Sequence, residues 1–369
     1  MTSDPLGFPL YTRENYPPQG QLLGGFLSGL WATAAGALGF PAELSARSTR
    51  LVRDALPRWS AEPIGAAPAR PSYVSGDGFP AEMSVNWSGS VPELRVLFDR
   101  SDSGPGDESA FPRGPERTRE PAARRRARVD EVFTPRAGRP SAAPVWDSVA
   151  WRPPAGFVHK TYFGLYEWPE PGERRAAVDE AMHRLGLSAA WDHARSRIEA
   201  AGGDREIEFF AVDLAGAADA RVKVYYRNHG ADLAELDRIA SVARQHDSAA
   251  ASTAYRMLTG GRADAGEAAL SCLAFRSGLD RAAEATTYLR LPGLAPHDQV
   301  AVDRTAALLR HEGVDPRRFR ELAAALAPGP LADGTGLLEL VSYRAAGRRG
   351  DVTTYFRFPV YPHRSVPRC

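Results

Sequence analysis

The chain has 369 residues, of which 43% are hydrophobic and 25% charged, a balance that suits a folded globular protein and excludes a disordered one. Its net charge of +1 excludes a general basic field for nucleic acid. Two cysteines, Cys272 and Cys369, do not make a disulfide framework and fit a reducing cytoplasm.

Residues 21–40 carry no charge and are long enough to span a bilayer. Five glycines with Gln21, Ser28 and Thr33 favour instead a helix buried against the rest of the fold, and no basic segment of the signal-peptide kind precedes it. Residues 43–59 read as an amphipathic helix. Beyond them the chain alternates strand pairs with helices. The strand pairs are 82–87 with 94–98, 145–151 with 159–163, 206–213 with 222–226, 270–275 with 285–289, and 337–343 with 352–356. Turn residues such as Gly89, Pro153 and Gly278 separate the members of a pair, so each pair reads as an antiparallel hairpin. Residues 101–140 are rich in Pro, Gly and charge, and read as a flexible solvated loop with one short helix over 122–132. The basic run from Arg124 to Arg128 is expected to face solvent. Later helices are marked by the stripes Val178, Ala181, Met182, Leu185 (ending at Gly186) and Leu233, Leu236, Ile239, Ala240, Ala243. Two more are expected over 300–310 and 317–326.

The hairpins repeat. Tyr162 to Tyr225 is 63 residues, Tyr225 to Tyr288 is 63, Tyr288 to Tyr355 is 67, and Arg95 to Lys160 is 65. Ten antiparallel strands flanked by helices are best closed into a barrel, which removes the free edges. One domain is therefore expected over residues 1–369, built from about five helix–strand–strand–helix units. Met83, Val85 and Trp87 alternate with Glu82, Ser84 and Asn86, so the apolar set packs on helices and the polar set lines the interior.

That interior is cationic. Of 46 Lys plus Arg only Lys160 and Lys223 are lysines, and both lie in Lys-x-Tyr. A chain that uses arginine for generic surface charge keeps lysine where a compact ammonium is wanted. Arg221, Lys223 and Tyr225 share a strand face, as do Lys160 and Tyr162. Cations beside phenols suit an anion attached to something apolar. No Cys-x-x-Cys, His-Glu-x-x-His, phosphate-binding Gly loop or Asp-Asp pair occurs, so an anion would be held by side chains directly.

Arg-x-Lys-x-Tyr at Arg221, Lys223 and Tyr225, Lys-x-Tyr at Lys160 and Tyr162, and the glutamate of Phe79-Pro80-Ala81-Glu82 together resemble the ABBA-type aromatic prenyltransferases. The likeness is to the dimethylallyltryptophan synthase (indole prenyltransferase) group, bacterial type, and runs from about residue 78 onward. The resemblance implies an α+β fold, a ten-stranded antiparallel barrel of five hairpins ringed by helices. It implies transfer of a dimethylallyl group from dimethylallyl diphosphate to the indole of L-tryptophan or a tryptophan derivative, with no metal and no further cofactor. Arg95, Lys160, Arg221 and Lys223, with Tyr162, Tyr225, Thr286, Tyr288 and Tyr355, would hold the diphosphate. The four tyrosines would also shield an allyl cation, and Glu82 would accept the indole N–H.

The chain departs from the family in three places. Thr286 replaces the usual glutamine two residues before Tyr288. The strand 145–151 lacks the lysine some members use as proton acceptor, leaving Asp147 as its ionisable group. Glu206 and Glu208 stand where some tryptophan-binding members carry an arginine. Expected partners are therefore the aromatic substrate and the prenyl diphosphate, with no nucleic acid and no membrane, in a cytoplasmic monomer or homodimer. A phenolic or polyketide acceptor, a non-catalytic barrel for hydrophobic ligands, and a metal-dependent prenyl synthase are the competing readings.

Overall fold

The computed structural model describes residues 19–70, 72–100, 116–134, 143–166, 168–214, 220–266, 269–347 and 349–361. Ten strands close into one barrel: β1 (Ala81–Asn86), β2 (Glu93–Asp99), β3 (Val145–Trp151), β4 (Phe157–Gly164), β5 (Asp204–Asp213), β6 (Val222–His229), β7 (Ala269–Phe275), β8 (Glu284–Arg290), β9 (Leu338–Arg344) and β10 (Asp351–Phe356). Every neighbouring pair is antiparallel. β10 closes onto β1 with Ser84 opposite Tyr355 and Val85 opposite Thr354, so the sheet has no free edge. The closure is pinned from outside it: the buried Asp77 carboxylate accepts backbone N–H groups from Val360 (2.8 Å) and Tyr361 (3.0 Å), just past β10.

Period-two alternation sends one face of each strand to the helices and the other to the lumen. Met83, Val85, Trp87, Leu94, Val96 and Phe98 are buried in the same apolar cluster as α1 (Leu23–Ala37) and α9 (Arg317–Leu326). The uncharged stretch at 21–40 is thus a buried wall helix, using Leu23, Phe26, Leu27, Leu30, Trp31 and Ala34 at helical spacing. Gly24 allows its approach to the chain at Ser60, where a Cβ would stand 2.8 Å from the Ser60 Cβ. Among the described residues no helix is long and apolar enough to cross a membrane. α2 (Ala42–Ala55) follows. α4 (Pro171–Arg184) and α5 (Ser188–Ala200) join β4 to β5; α4 ends at Gly186, whose φ of +70° suits glycine. α6 (Leu233–Ala240), α7 (Ser248–Thr259) and α8 (Asp298–His311) complete the outer layer.

The stretch 101–140 departs from expectation where it is described. Glu116–Phe133 is an 18-residue helix, α3, rather than a short one within a loop; residues 101–115 and 135–140 lie outside the described residues. Its anchor is apolar, since Val129, Val132 and Phe133 are buried with Phe163 and Phe210, and Phe133 stacks on Phe163 at 4.5 Å. Its basic run does not simply face solvent either. Arg124 and Arg128 are exposed, but Arg126 turns inward, its Nη1 donating to Asp147 Oδ1 (3.3 Å) and Thr161 Oγ1 (2.9 Å).

Asp147 therefore belongs to the outer wall. Its neighbours in register are Phe98 and Thr161, both outward. Its carboxylate accepts from Arg100 Nη1 (2.9 Å) and Thr161 Oγ1 (2.8 Å) as well as from Arg126. The lumenal residues of β3 are Trp146, Ser148 and Ala150. Removing Asp147 leaves Arg100 and Arg126 facing an empty wall, so Asp147→Ala is expected to destabilise the fold by about 3 kcal/mol, the scale for breaking a buried ion pair. Denaturant unfolding would check this.

Candidate active site

The lumen is graded from one end to the other, and the grading follows from which residues each strand points inward. At one end a belt of ion pairs runs round the wall. Arg95 Nε meets Glu93 Oε1 at 2.6 Å, and Arg152 approaches the other oxygen of Glu93 at 3.8 Å. Lys160 Nζ lies 4.0 Å from Asp213 Oδ1, while Arg221 Nε donates to Asp213 Oδ2 at 2.9 Å and Arg221 Nη1 to Glu284 Oε2 at 3.2 Å. Arg276 (3.1 Å) and Arg344 also bind Glu284, and Arg344 continues to Asp351 at 2.5 Å. Asn86 Nδ2 donates to Asp351 and, at 3.0 Å, to Thr353. Lys223 makes no ion pair with a described residue. Among the described residues seven basic side chains (Arg95, Arg152, Lys160, Arg221, Lys223, Arg276, Arg344) thus face four carboxylates (Glu93, Asp213, Glu284, Asp351), a surplus of three positive charges when both lysines are protonated.

Next comes an aromatic girdle. Tyr162, Tyr225, Tyr288 and Tyr355 follow one another with ring centroids 6.0, 5.9 and 5.8 Å apart. They stand on alternate strands, β4, β6, β8 and β10. The intervening strands carry small lumenal residues (Ala211, Cys272 and Ser342), which leave room for the rings to lean together. Phe209 meets Tyr225 edge-on at 6.0 Å and Trp146 at 5.0 Å, extending the apolar lining. Thr286 is half-buried, in register with Cys272.

The far end is carboxylate-rich. Glu82 projects there from β1. Glu206 receives Arg174 Nη1 at 2.7 Å, and Glu208 receives Arg227. Glu339 is held by Arg290 and lies 3.6 Å from Arg357 Nε. Two register shifts supply this end. In β5 the residue between Ile207 and Phe209 has no partner on β6, and in β9 the residue between Leu338 and Leu340 has none on β10. Those residues are Glu208 and Glu339. By simple alternation both would face the helices; the bulges re-aim them into the lumen.

No protein-family model matches the chain. Among solved structures, 6-dimethylallyltryptophan synthase from Micromonospora olivasterospora, in complex with DMASPP and Trp, superposes with a TM-score of 0.79 at 29% identity, over 93% of this chain and 99% of that one. 5-Dimethylallyl tryptophan synthase from Streptomyces coelicolor, also in complex with DMASPP and Trp, gives 0.76 at 24% identity over 94% and 97%. AnaPT from Neosartorya fischeri shares the fold at 0.66 and 16% identity, over 96% of each chain. In fold and sequence the chain is similar to the dimethylallyltryptophan synthases, prenyltransferases of the ABBA type.

In this prenyltransferase Arg95, Lys160, Arg221 and Lys223 meet at the cationic end, the four tyrosines and Thr286 lie beside them, and Glu82 stands at the opposite end. Asp147 is on the outer wall and does not join them. The carboxylates of the belt and the cations Arg152, Arg276 and Arg344 were not among the residues expected at the site. Glu93, Asp213, Glu284 and Asp351 all share the inward parity of a motif residue on their own or a paired strand, so alternation was the signal that could have found them. Among the described residues no cluster of His, Cys, Asp or Glu could hold a metal ion.

Burial and crowding in the lumen shift its charges. Burial, then the nearby Lys223, lower the Lys160 ammonium to about 7, against the pull of Asp213. Burial and Arg221 lower Lys223 as well. Burial works against the Asp213 carboxyl, yet Lys160, Lys223 and Arg221 outweigh it and hold that carboxyl far below the usual carboxylate range. A bound anion would return Lys160 to its charged form. Binding of dimethylallyl thiolodiphosphate is therefore expected to take up about one proton at pH 8 and to weaken as pH rises above 7. Calorimetry in buffers of different ionisation heat measures the uptake, and Lys160→Arg, charged throughout, should largely remove it.

Proposed function

We propose that this prenyltransferase moves a dimethylallyl group from dimethylallyl diphosphate to the indole ring of L-tryptophan without a metal ion. The observation that carries the reading is the order of the lumen: a belt with three surplus positive charges, then four tyrosines, then Glu82. A prenyl diphosphate carries roughly three negative charges, and one unit-charge contact at 4 Å contributes about 4 kcal/mol at an effective dielectric near 20. The belt is built before the substrate arrives, since the carboxylates hold the arginines in place, so little reorganisation accompanies binding.

The allylic C–O bond breaks with both electrons leaving on the diphosphate. The resulting cation lies against tyrosine faces, each worth on the order of 2 kcal/mol when desolvated, and the girdle keeps out the water that would quench it. A ring carbon of the indole then donates its electron pair to form the C–C bond, and the ring loses a proton. Asp147 cannot take that proton from the outer wall; Glu82, Glu206, Glu208 and Glu339 are the carboxylates at the acceptor end.

Glu82 fixes the acceptor through its N–H, which favours an indole over a phenol. Burial, then the like charge of Glu339, push its carboxyl up to about 8, against the pull of Arg290. At neutral pH Glu82 is therefore mostly protonated, and the stronger, ionised acceptor forms as pH rises through that value. The kcat/KM for L-tryptophan is expected to climb with pH toward 8. Glu82→Gln, which cannot ionise, should lose that limb and run about tenfold or more slower on indoles; an unchanged profile would make Glu82 a structural residue.

The first test of the reaction is incubation of the purified enzyme with dimethylallyl diphosphate and L-tryptophan in excess EDTA. A product heavier by one dimethylallyl group is expected by mass spectrometry. Activity that requires added Mg²⁺ would overturn the metal-free reading, and turnover of phenols in preference to indoles would overturn the acceptor.

A further inference from the structure

The acceptor end holds a buried carboxylate with half of its hydrogen-bonding capacity unused. Glu208 is 5% exposed. Its backbone carbonyl is tied to Leu165 N at 2.8 Å, which fixes the bulge. One side-chain oxygen receives Arg227 Nη2, and the other, Oε2, has no hydrogen-bond partner among the described residues. Nearby cations other than Arg227 are already engaged. Arg174 is on Glu206 at 2.7 Å and on the Trp168 carbonyl at 2.6 Å, while His229 lies 3.2 Å from Glu206. Buried carboxylate oxygens are rarely left unmatched, so an unmatched one in a ligand cavity marks a place for a donor that arrives with the ligand.

Position and charge narrow the donor. Arg290 acts electrostatically on both Glu82 and Glu208, so the two carboxyls share one region of the lumen. Phe209, next to Glu208, packs against Trp146 at 5.0 Å, giving an apolar wall beside the carboxylate. An acceptor whose ring N–H sits on Glu82 and whose ring lies along aromatic side chains would extend its side-chain end toward another polar group. We infer that Glu208 receives the α-ammonium of the acceptor, so that a free α-amine is a requirement of this site. The ammonium brings a charge that complements the second oxygen and three donors that can meet it, completing a pair in which Arg227 already holds the first. This specificity role rests on the tryptophan reading above.

The test compares four acceptors with the unmodified enzyme and dimethylallyl diphosphate: L-tryptophan, its methyl ester, N-acetyl-L-tryptophan and 3-indolepropionate. The first two keep the ammonium and are expected to be used comparably. The last two lack it and should fall by about 50-fold or more in kcat/KM, chiefly through KM, as befits a site with a buried polar group left unmatched. Glu208→Gln should bring L-tryptophan down to within about threefold of N-acetyl-L-tryptophan. Equal use of all four by the unmodified enzyme, or discrimination that survives Glu208→Gln, would overturn the assignment while leaving indole prenylation intact. Failure of all four as acceptors would overturn the tryptophan reading itself, and this inference with it. Should Glu208→Gln not fold, the acceptor series on the unmodified enzyme decides alone.

Discussion

A charge enclosed by protein must be answered by another charge, and most of this barrel's lining follows from that constraint. Seven cations cannot be gathered at one end of a closed sheet unless counter-charges come with them. Glu93, Asp213, Glu284 and Asp351 supply these from β2, β5, β8 and β10, so that the pairs interlock round the wall. The pairing leaves an excess suited to one diphosphate, together with a set of guanidinium groups already oriented. The hydrogen-bonded closure of β1 onto β10 is what allows the belt to be continuous. An open sheet would present the same residues in a row, with Asp351 and Asn86 at opposite edges instead of bonded to each other.

The aromatic girdle depends on strand spacing. Adjacent strands stand about 4.8 Å apart, so alternate strands are separated by roughly 10 Å, a distance two inclined tyrosines can bridge. Large residues at Ala211, Cys272 or Ser342 would wedge the rings apart. The girdle therefore requires the small residues between the tyrosines as much as the tyrosines themselves. It also separates the two polar ends, which keeps the carboxylates near Glu82 from neutralising the cationic belt.

Much of this was legible because the barrel is built by repetition. The 63-residue spacing of Tyr162, Tyr225 and Tyr288 located the hairpins, and alternation assigned lumenal faces to Lys160, Arg221 and Lys223. What escaped did so for identifiable reasons. Asp147 is the ionisable residue of its strand, which makes it the candidate there, but its parity places it outside with Thr161. α5 and α7 interleave alanines (Ala190, Ala194, Ala251 and Ala254) with few large buried residues (Trp191, Ile198, Tyr255 and Leu258), which make a faint apolar stripe. The Asp247 carboxylate, capping α7 through Ala249 N and Ala250 N, was the better signal there. α3 hides its anchors, Val129, Val132 and Phe133, behind a run of arginines. The bulges break the alternation, since Ile207 packs outward with Phe210 and Leu338 with Val341, but strict period-two counting passes over such breaks, so Glu208 and Glu339 are placed in the lumen only with the backbone in view.

The near-absence of lysine from the chain acquires a physical meaning in this setting. Arginine stays protonated under any condition the protein meets, so a belt made only of arginines would keep its full surplus whether or not an anion were present. Lysine can shed its proton when buried among other cations, and Lys160 does so near pH 7. Two lysines facing the lumen thus allow it to relax part of its own repulsion, and under the proposed function they would recover the charge with the diphosphate. The cost of gathering so many cations in one buried belt therefore falls on Lys160 and Lys223, the groups whose charge burial and neighbouring cations disfavour.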